Sequence, residues 1–540
     1  MSTSSSFPRP SRRQFVAGLG LGFVGLTAGG GSALAQAAAK RGGTLIVGIN
    51  ADPPALSILA SAATLTNCTA GQLFSTLITL SPDGDVEPSL AKSWTISEDG
   101  TVYTFKLRTD VLWHDGKPFT AEDVRFSMVE LNGRYNALAR SSGEGIKSVE
   151  APDAETVVIT LKQPDPAFFP WAFSQQEQSL IHPKHIYEGT DVPMNPANLK
   201  PIGTGAFKFT EWKKGSHLTF DRNPDYFNKD AVLVDKVIFQ IIPDAGARQL
   251  ALEKGDIDYV PFFGLSAASA DALEKAKDVK VFDSVRPAQG IIMAYMNTRN
   301  EFMAKIPVRQ AISYAIDRKA LVALALNGRG KAATGPIRSD SKGFYNPDVT
   351  LYARDVEKAK ALLDQAGAVM RGRSRFAIRL AYQNSGEGGA LQSAGEIMRE
   401  HLREVGIELQ LVPGDYATVW DRAYLHWDFD LAMGSFFTGP DPKISVSPKY
   451  ISSNIKKATG ANLMGYENPK VDELLNAADS EMNPQKRNDL YRQAQTILVD
   501  EVPALWLWEK TYPSASRDHV IGLPSGMNHW EPYENVGFTK

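Results

Sequence analysis

Cysteine is nearly missing. The 540 residues contain one, Cys68, so no intrachain disulfide can form. A lipid anchor on an exported chain needs a cysteine at the end of its export signal. Cys68 lies far beyond any such point and reads as a small buried residue. A basic surplus is missing too. Setting aside residues 1–35, which hold three arginines and no acids, leaves 55 basic and 61 acidic side chains, a net charge of −6. With no basic tract, nucleic acid is not expected as a partner. After residue 35 no stretch has the 18 or more apolar residues of a membrane span.

Signatures of catalysis are also lacking. There is no Gly-x-Ser-x-Gly elbow and no His-Glu-x-x-His. Gly20-Leu21-Gly22-Phe23-Val24-Gly25 has dinucleotide spacing but no strand before it. Asn327-Gly328-Arg329-Gly330-Lys331 departs from a phosphate loop: Ala325 replaces the leading glycine, and no Ser or Thr follows Lys331. His182-Pro183-Lys184-His185 has metal-like spacing, but Pro183 interrupts any helix and no second cluster joins it. Acid pairs abound, and sequence supplies no geometry to select one. These absences predict a binding protein with no catalytic residue, no metal and no cofactor, in preference to an enzyme.

What is present begins with the leader. Ser11-Arg12-Arg13-Gln14-Phe15-Val16 precedes the uncharged, Gly- and Leu-rich stretch 17–28, and Ser32-Ala33-Leu34-Ala35 is a small-x-small cleavage pattern. This reads as a twin-arginine export signal removed near Ala35, too short to anchor the chain. The mature protein is expected in the periplasm of a two-membrane cell, without a lipid. About 505 residues exceed what one core supports, so two or three lobes are expected.

Gly42 to Ile49 is an apolar run bounded by glycine, a buried strand, and Asn50-Ala51-Asp52-Pro53-Pro54 is the loop at its C-terminal end, where ligands of open α/β sheets sit. Residues 93–97 and 102–108 alternate apolar and polar around Glu98-Asp99-Gly100, a β-hairpin. Thr120 caps a helix with Asp123 three residues on. Strands follow at 156–161, 203–209 and 218–224, then alternating units from Val237. One helix is predicted over 306–326 and another over 353–366, closed by Gly367. Strand 376–381, helix 389–405 and strand 407–412 form a βαβ unit. Helices at 469–480 and 485–499 precede Ala504-Leu505-Trp506-Leu507-Trp508, a strand buried on both faces, so both tryptophans belong to the core.

The segment from Ser93 through Trp113-His114-Asp115-Gly116-Lys117-Pro118 to Val124 resembles the signature of the family 5 extracellular solute-binding proteins, the peptide- and nickel-binding components of ABC importers. Gly203-Thr204-Gly205-Ala206-Phe207, Asn223-Pro224-Asp225-Tyr226-Phe227, the run Val308 to Arg318, Gly439-Pro440-Asp441-Pro442 and Gly465-Tyr466-Glu467-Asn468-Pro469 agree in order. The resemblance implies an α/β two-lobe periplasmic-binding-protein clamp, type II-like. Lobe I would span 42–290 plus 511–540, with an inserted subdomain near 87–201, and lobe II would span 291–510. A monomer would close by hinge motion on a peptide-like solute and deliver it to an inner-membrane permease with its ATPase. Opines, oligosaccharides or another organic solute are the alternatives; a periplasmic hydrolase and a sensory or chaperone role stand further off.

The resemblance also implies a pocket: Asn50 and Asp52 after the first strand, Tyr295 and Asn297 near the crossing, Tyr382, Gln383 and Asn384, Trp420 and Tyr424, and Phe436, Thr438 and Asp441. Trp420 follows the polar loop Gly414-Asp415-Tyr416 and suits a wall or a core. Asp441 offers an acceptor to a ligand or a cap to the next turn. Peptide-binding members place an aspartate where Thr438 falls here, and dipeptide binders use a lobe II arginine, but the stretch 382–389 has none. Neither ionic anchor of a zwitterionic dipeptide is therefore expected.

Overall fold

The computed structural model describes residues 39–539 apart from 82–84, 137–138, 141–142, 175–178, 284–289, 342, 386–387, 437–438, 440 and 525–531. The export signal and Thr438 lie outside the described residues.

Two large sheets build two lobes. The lobe I sheet has seven strands in the order Val279–Asp283, Pro513–Arg517, Tyr259–Val260, Thr44–Ile49, Lys236–Ile241, His217–Arg222, Phe207–Lys213. Its centre is parallel, with Thr44–Ile49 between Lys236–Ile241 and Tyr259–Val260. The lobe II sheet has six strands: Lys331–Ala332, Ala504–Glu509, Ile291–Met296, Leu431–Phe436, Phe376–Gln383, Ile407–Gly414. Every residue of Ile291–Met296 and of Ala504–Glu509 is buried, as continuous apolar runs require when both faces are covered. Ile291, Met293 and Tyr295 point into one apolar cluster, and Ile292, Ala294 and Met296 into another on the opposite face. Trp506 and Trp508 divide between these clusters, each 2% exposed.

A four-stranded antiparallel sheet, Ala91–Ile96, Val102–Leu107, Thr156–Leu161, Ile146–Asp153, forms the inserted subdomain around its own core. The helix Ala121–Phe126 begins with the capping box: the Thr120 backbone N–H donates to Asp123 Oδ2 at 2.9 Å.

The single helix read over 306–326 is two helices, Ile306–Ala315 and Arg318–Ala325. Asp317 Oδ1 accepts from the backbone N–H of Lys319 and Ala320, making it the cap of the second helix. A short acidic side chain competes with the helical ladder in this way, so the apolar period continues through a break in the backbone.

The chain crosses between lobes twice, from Asp283 to Ile291 and from Glu509 to Pro513. Asp283 pairs with Pro513, and Ile291 with both Glu509 and Phe436, so both crossings leave the same edge of each sheet. Arg338, 4% exposed, donates to the carbonyls of Gly290 and Lys510 and joins the two crossings. Beside them, Arg329 of lobe II meets Asp271 and Glu274 of lobe I at 2.7 and 2.9 Å. The lobes also touch at a distant rim. Lys443 Nζ lies 2.7 Å from Asp165 Oδ1 of the inserted subdomain. Met482 packs on the hairpin glycine Gly100, where an added Cβ would stand 2.7 Å from Met482 Cε and where φ is +69°.

Candidate functional site

The crossing edge of lobe II is where strand Leu431–Phe436 ends, where Phe376–Gln383 delivers Gln383 and Asn384, and where Ile407–Gly414 leads through Asp415 into helix Tyr416–Asp421. These are C-terminal ends of parallel strands, the usual ligand edge of an α/β sheet. Asp415 accepts from Thr418 N–H at 2.9 Å and starts the helix; a π-helical turn, Arg422–His426, extends it and brings Tyr424 round.

Four predicted residues converge on one face of this sheet. Trp420 packs against Gly434, where any side chain would collide with the indole. Its ring meets Tyr295 edge-on, with centroids 5.8 Å apart, and Tyr424 at 5.8 Å. Tyr295 and Tyr424 share a phenol hydrogen bond, and burial lifts the Tyr424 phenol to about 12 and that of Tyr295 well above its usual value. Phe436, the last residue of its strand, joins the same cluster.

Against these rings lies a cation. Lys449 Nζ donates to Tyr424 Oη at 3.1 Å and stands 5.4 Å from the Tyr424 centroid and 5.7 Å from that of Phe436. No carboxylate among the described residues pairs with it. Burial lowers its pKa to about 8. The turn that carries it, Ser447–Tyr450, follows within a few residues of Lys443, which reaches lobe I.

The polar half of the expected pocket is rearranged. Asn50 is exposed after its strand, but Asp52 accepts from Trp212 Nε1 at 2.7 Å and from Gly215 N–H at 2.9 Å. Its carboxylate fastens this loop to a hairpin turn and is spent there. Asn297 sits at the opposite end of its strand from the crossing. It donates to the carbonyls of Trp427 and Phe429 and accepts from Arg299, so it joins loops within lobe II and does not reach the cleft. Tyr382 is buried in the apolar cluster on the other face of the sheet, because strand alternation turns it away from Trp420. Gln383, partly exposed, donates to Ser385 O, and Asn384 is exposed at the crossing edge.

Asp441 takes the capping alternative. It accepts from Lys443 N–H at 2.9 Å, and both its oxygens meet Arg487 at 2.7 Å in a bidentate pair, with side-chain exposures of 5% and 7%. Its charge is neutralised by Arg487 and its side chain is buried, which withdraws it from a ligand. His182 and His185 are likewise apart: His182 is buried against Leu180 O and Ser57, and His185 pairs with Asp115.

Lys449, Lys443 with Asp165, and Arg487 were not singled out in the sequence. Each reads there as an ordinary polar position on a short turn or helix. The one signal for Lys449 is its place after Phe436 and Tyr424 in the same lobe.

The family model for bacterial extracellular solute-binding proteins, family 5 middle, matches residues 85–457. The chain is 30% identical over 500 residues to the oligopeptide-binding protein AppA of Bacillus subtilis, covering 89% of each. It is also 30% identical over 463 residues to heme-binding protein A of Haemophilus influenzae, covering 81% of each. Among solved structures, HbpA2 of Haemophilus parasuis superposes with a TM-score of 0.80 at 26% identity, over 92% of this chain and all of that one. Two lobes joined by a double crossing, an inserted four-stranded subdomain and this match over most of the length have one explanation: the chain belongs to the family 5 bacterial extracellular solute-binding proteins, the substrate-binding components of ABC transporters.

Proposed function

We propose that the protein is the periplasmic receptor of an ABC importer, closing as a monomer on a peptide-like solute and presenting it to a membrane permease, with no catalysis of its own. The observation that carries this reading is the buried aromatic cluster of Tyr295, Trp420, Tyr424 and Phe436 on one face of the lobe II sheet, bordered by the partly exposed Lys449, on the lobe that meets lobe I at the rim. Such a cluster, reached through Lys449 at its border, suits an organic solute held by apolar contact with a few polar groups. The relative named for oligopeptides favours a peptide-like solute. Asp441 is spent on Arg487, which speaks against a free zwitterionic dipeptide and for a solute without an exposed ammonium, an opine-like conjugate among them.

Ligand should close and stabilise the clamp. A solute held by both lobes binds only the folded state, adding about 2.7 kcal/mol at 100 times its dissociation constant. Native mass spectrometry of gently purified protein identifies the retained solute, and small-angle scattering of the stripped protein should then show a smaller radius of gyration when that solute returns. A rise in melting temperature with an unchanged radius would remove hinge closure from the reading.

The leader supports delivery to the periplasm. Replacing Arg12 and Arg13 by lysine keeps the charge but loses the guanidinium fork. Pulse-chase fractionation should show uncleaved precursor retained in the cytoplasm; normal maturation would refute the twin-arginine assignment.

A further inference from the structure

A lysine ammonium withdrawn among aromatic rings, with a phenol as its one hydrogen-bond partner among the described residues, is an expensive arrangement unless something else completes it. The buried or half-buried arginines of this lobe are completed from within the chain, whereas Lys358, which also donates to a phenol, does so at the exposed surface. Arg487 has Asp441, Arg379 has Asp428 and Asp430, and Arg309 donates to three backbone carbonyls. Among the described residues Lys449 makes one hydrogen bond, to Tyr424 Oη, from a group with three donors. It remains partly exposed, at the border of the cluster formed by Trp420, Tyr424 and Phe436.

We propose that Lys449 anchors a carboxylate of the transported solute, so that the receptor selects a monoanionic, carboxylate-bearing ligand lacking a free ammonium.

The inference rests on the solute-receptor reading above and narrows its ligand. One unpaired cation matches one negative charge, and the neighbouring rings match an apolar body beside it. The carboxylates that would hold an ammonium are engaged: Asp441 with Arg487, and Asp52 with Trp212 and Gly215. A ligand carboxylate would accept the two N–H donors that Tyr424 leaves over, giving a charge-assisted bond in a site sheltered from water.

The groups that face Lys449 leave it the one titrating near neutral pH. They are the Tyr424 phenol from the turn Arg422–His426, the Phe436 ring from its strand, the Tyr295 phenol behind Tyr424, and Tyr450 on its own turn. Burial holds all three phenols far above their usual value. From the packed helix Pro469–Ser480, Asp479 is spent on Ser447 and Tyr491, and Asp472 accepts from the Ser452 backbone. Since burial places Lys449 near 8, the charge that recognises the carboxylate is present below that pH and is lost above it. A bound carboxylate raises the lysine again, so binding near pH 8 takes up a proton.

The test uses the full mature protein stripped of ligand. In the first arm, lysine side-chain nitrogens are labelled and sodium acetate is titrated against a sodium chloride control, with Lys449→Met identifying the signal. Acetate should shift the Lys449 resonance saturably and chloride should not; no shift overturns the anchor. In the second arm, calorimetry compares N-acetyl-dialanine with its C-terminal amide. The acid should bind at least about tenfold more tightly near pH 7, the size expected of a charge-assisted bond. That ratio should shrink toward pH 9 and fall to one in Lys449→Met. The variant should melt no lower than the parent, because methionine fills the same space without a charge.

Equal binding of acid and amide by the parent overturns the anchor and leaves the peptide reading standing. A saturable acetate shift with neither peptide bound does the reverse: it supports the anchor for a small free carboxylate and removes the peptide-like ligand. Retention of the acid preference in Lys449→Met also overturns the anchor.

Discussion

Asp441 and Arg487 stand 46 residues apart, one in a loop and one on helix Pro484–Glu501, and both are almost wholly buried. Removing one member strands a charge. Arg487→Leu or Asp441→Ala should therefore cost about 3–5 kcal/mol in urea unfolding, while the double replacement Asp441→Leu with Arg487→Met should cost far less. A second residue-scale outcome concerns His182. Burial holds its imidazole down to about 3, against an ordinary 6.5. Between those values the unfolded chain carries a proton that the folded protein lacks. His182 thus contributes fully above pH 6.5, and its contribution falls on acidification by about 1.4 kcal/mol per pH unit. Buried Glu509 and Glu534 are raised and act in the opposite sense. The check is therefore the slope: unfolding of His182→Gln followed from pH 7 to 4 should lose less stability than the parent. Residue type made the clustering of Trp420, Tyr424, Phe436 and Tyr295 legible, since large rings have few ways to be satisfied except together. The polar positions misled because a carboxylate such as Asp52 or Asp441 takes whichever donor the fold brings near, and sequence does not state which.

Among the elements, most were legible. The capping box at Thr120, the hairpin around Gly100 and the βαβ unit of Phe376–Gln383, Gly388–Glu404 and Ile407–Gly414 follow from local signals that agree with their packing. The break at Asp317 was hidden because the apolar spacing runs through it. The contact between elements of different lobes was hidden altogether. Lys443 lies in the first turn of a short helix, Pro442–Ser445, and its partner Asp165 precedes helix Phe168–Ser174 of the inserted subdomain. The two are partly exposed, so the pair is worth no more than about 1 kcal/mol. That is still about fivefold in an open–closed equilibrium. Lys443→Met should raise the radius of gyration of the ligand-free protein and weaken ligand binding by at most that factor. An unchanged radius would mean that the rim contact does not bias closure.

At the scale of the molecule, the lobe I sheet joins residues from both ends of the chain. Strand Pro513–Arg517 is the second of its seven strands, lying between Val279–Asp283 and Tyr259–Val260, and Ala39–Lys40 pairs with Gly537–Thr539. The lobe II sheet, by contrast, is complete once Glu509 has been made. During synthesis the aromatic cluster of lobe II can therefore assemble while lobe I still waits for its missing strand. Until that strand arrives, Val279–Asp283 has no neighbour in the sheet, and Tyr259–Val260 presents an unpaired backbone edge open to other chains. A chain ended near residue 510 would keep every residue of the aromatic cluster and Lys449. It would nonetheless be an aggregation hazard, because Pro513–Arg517, the strand that covers both of those edges, would be missing.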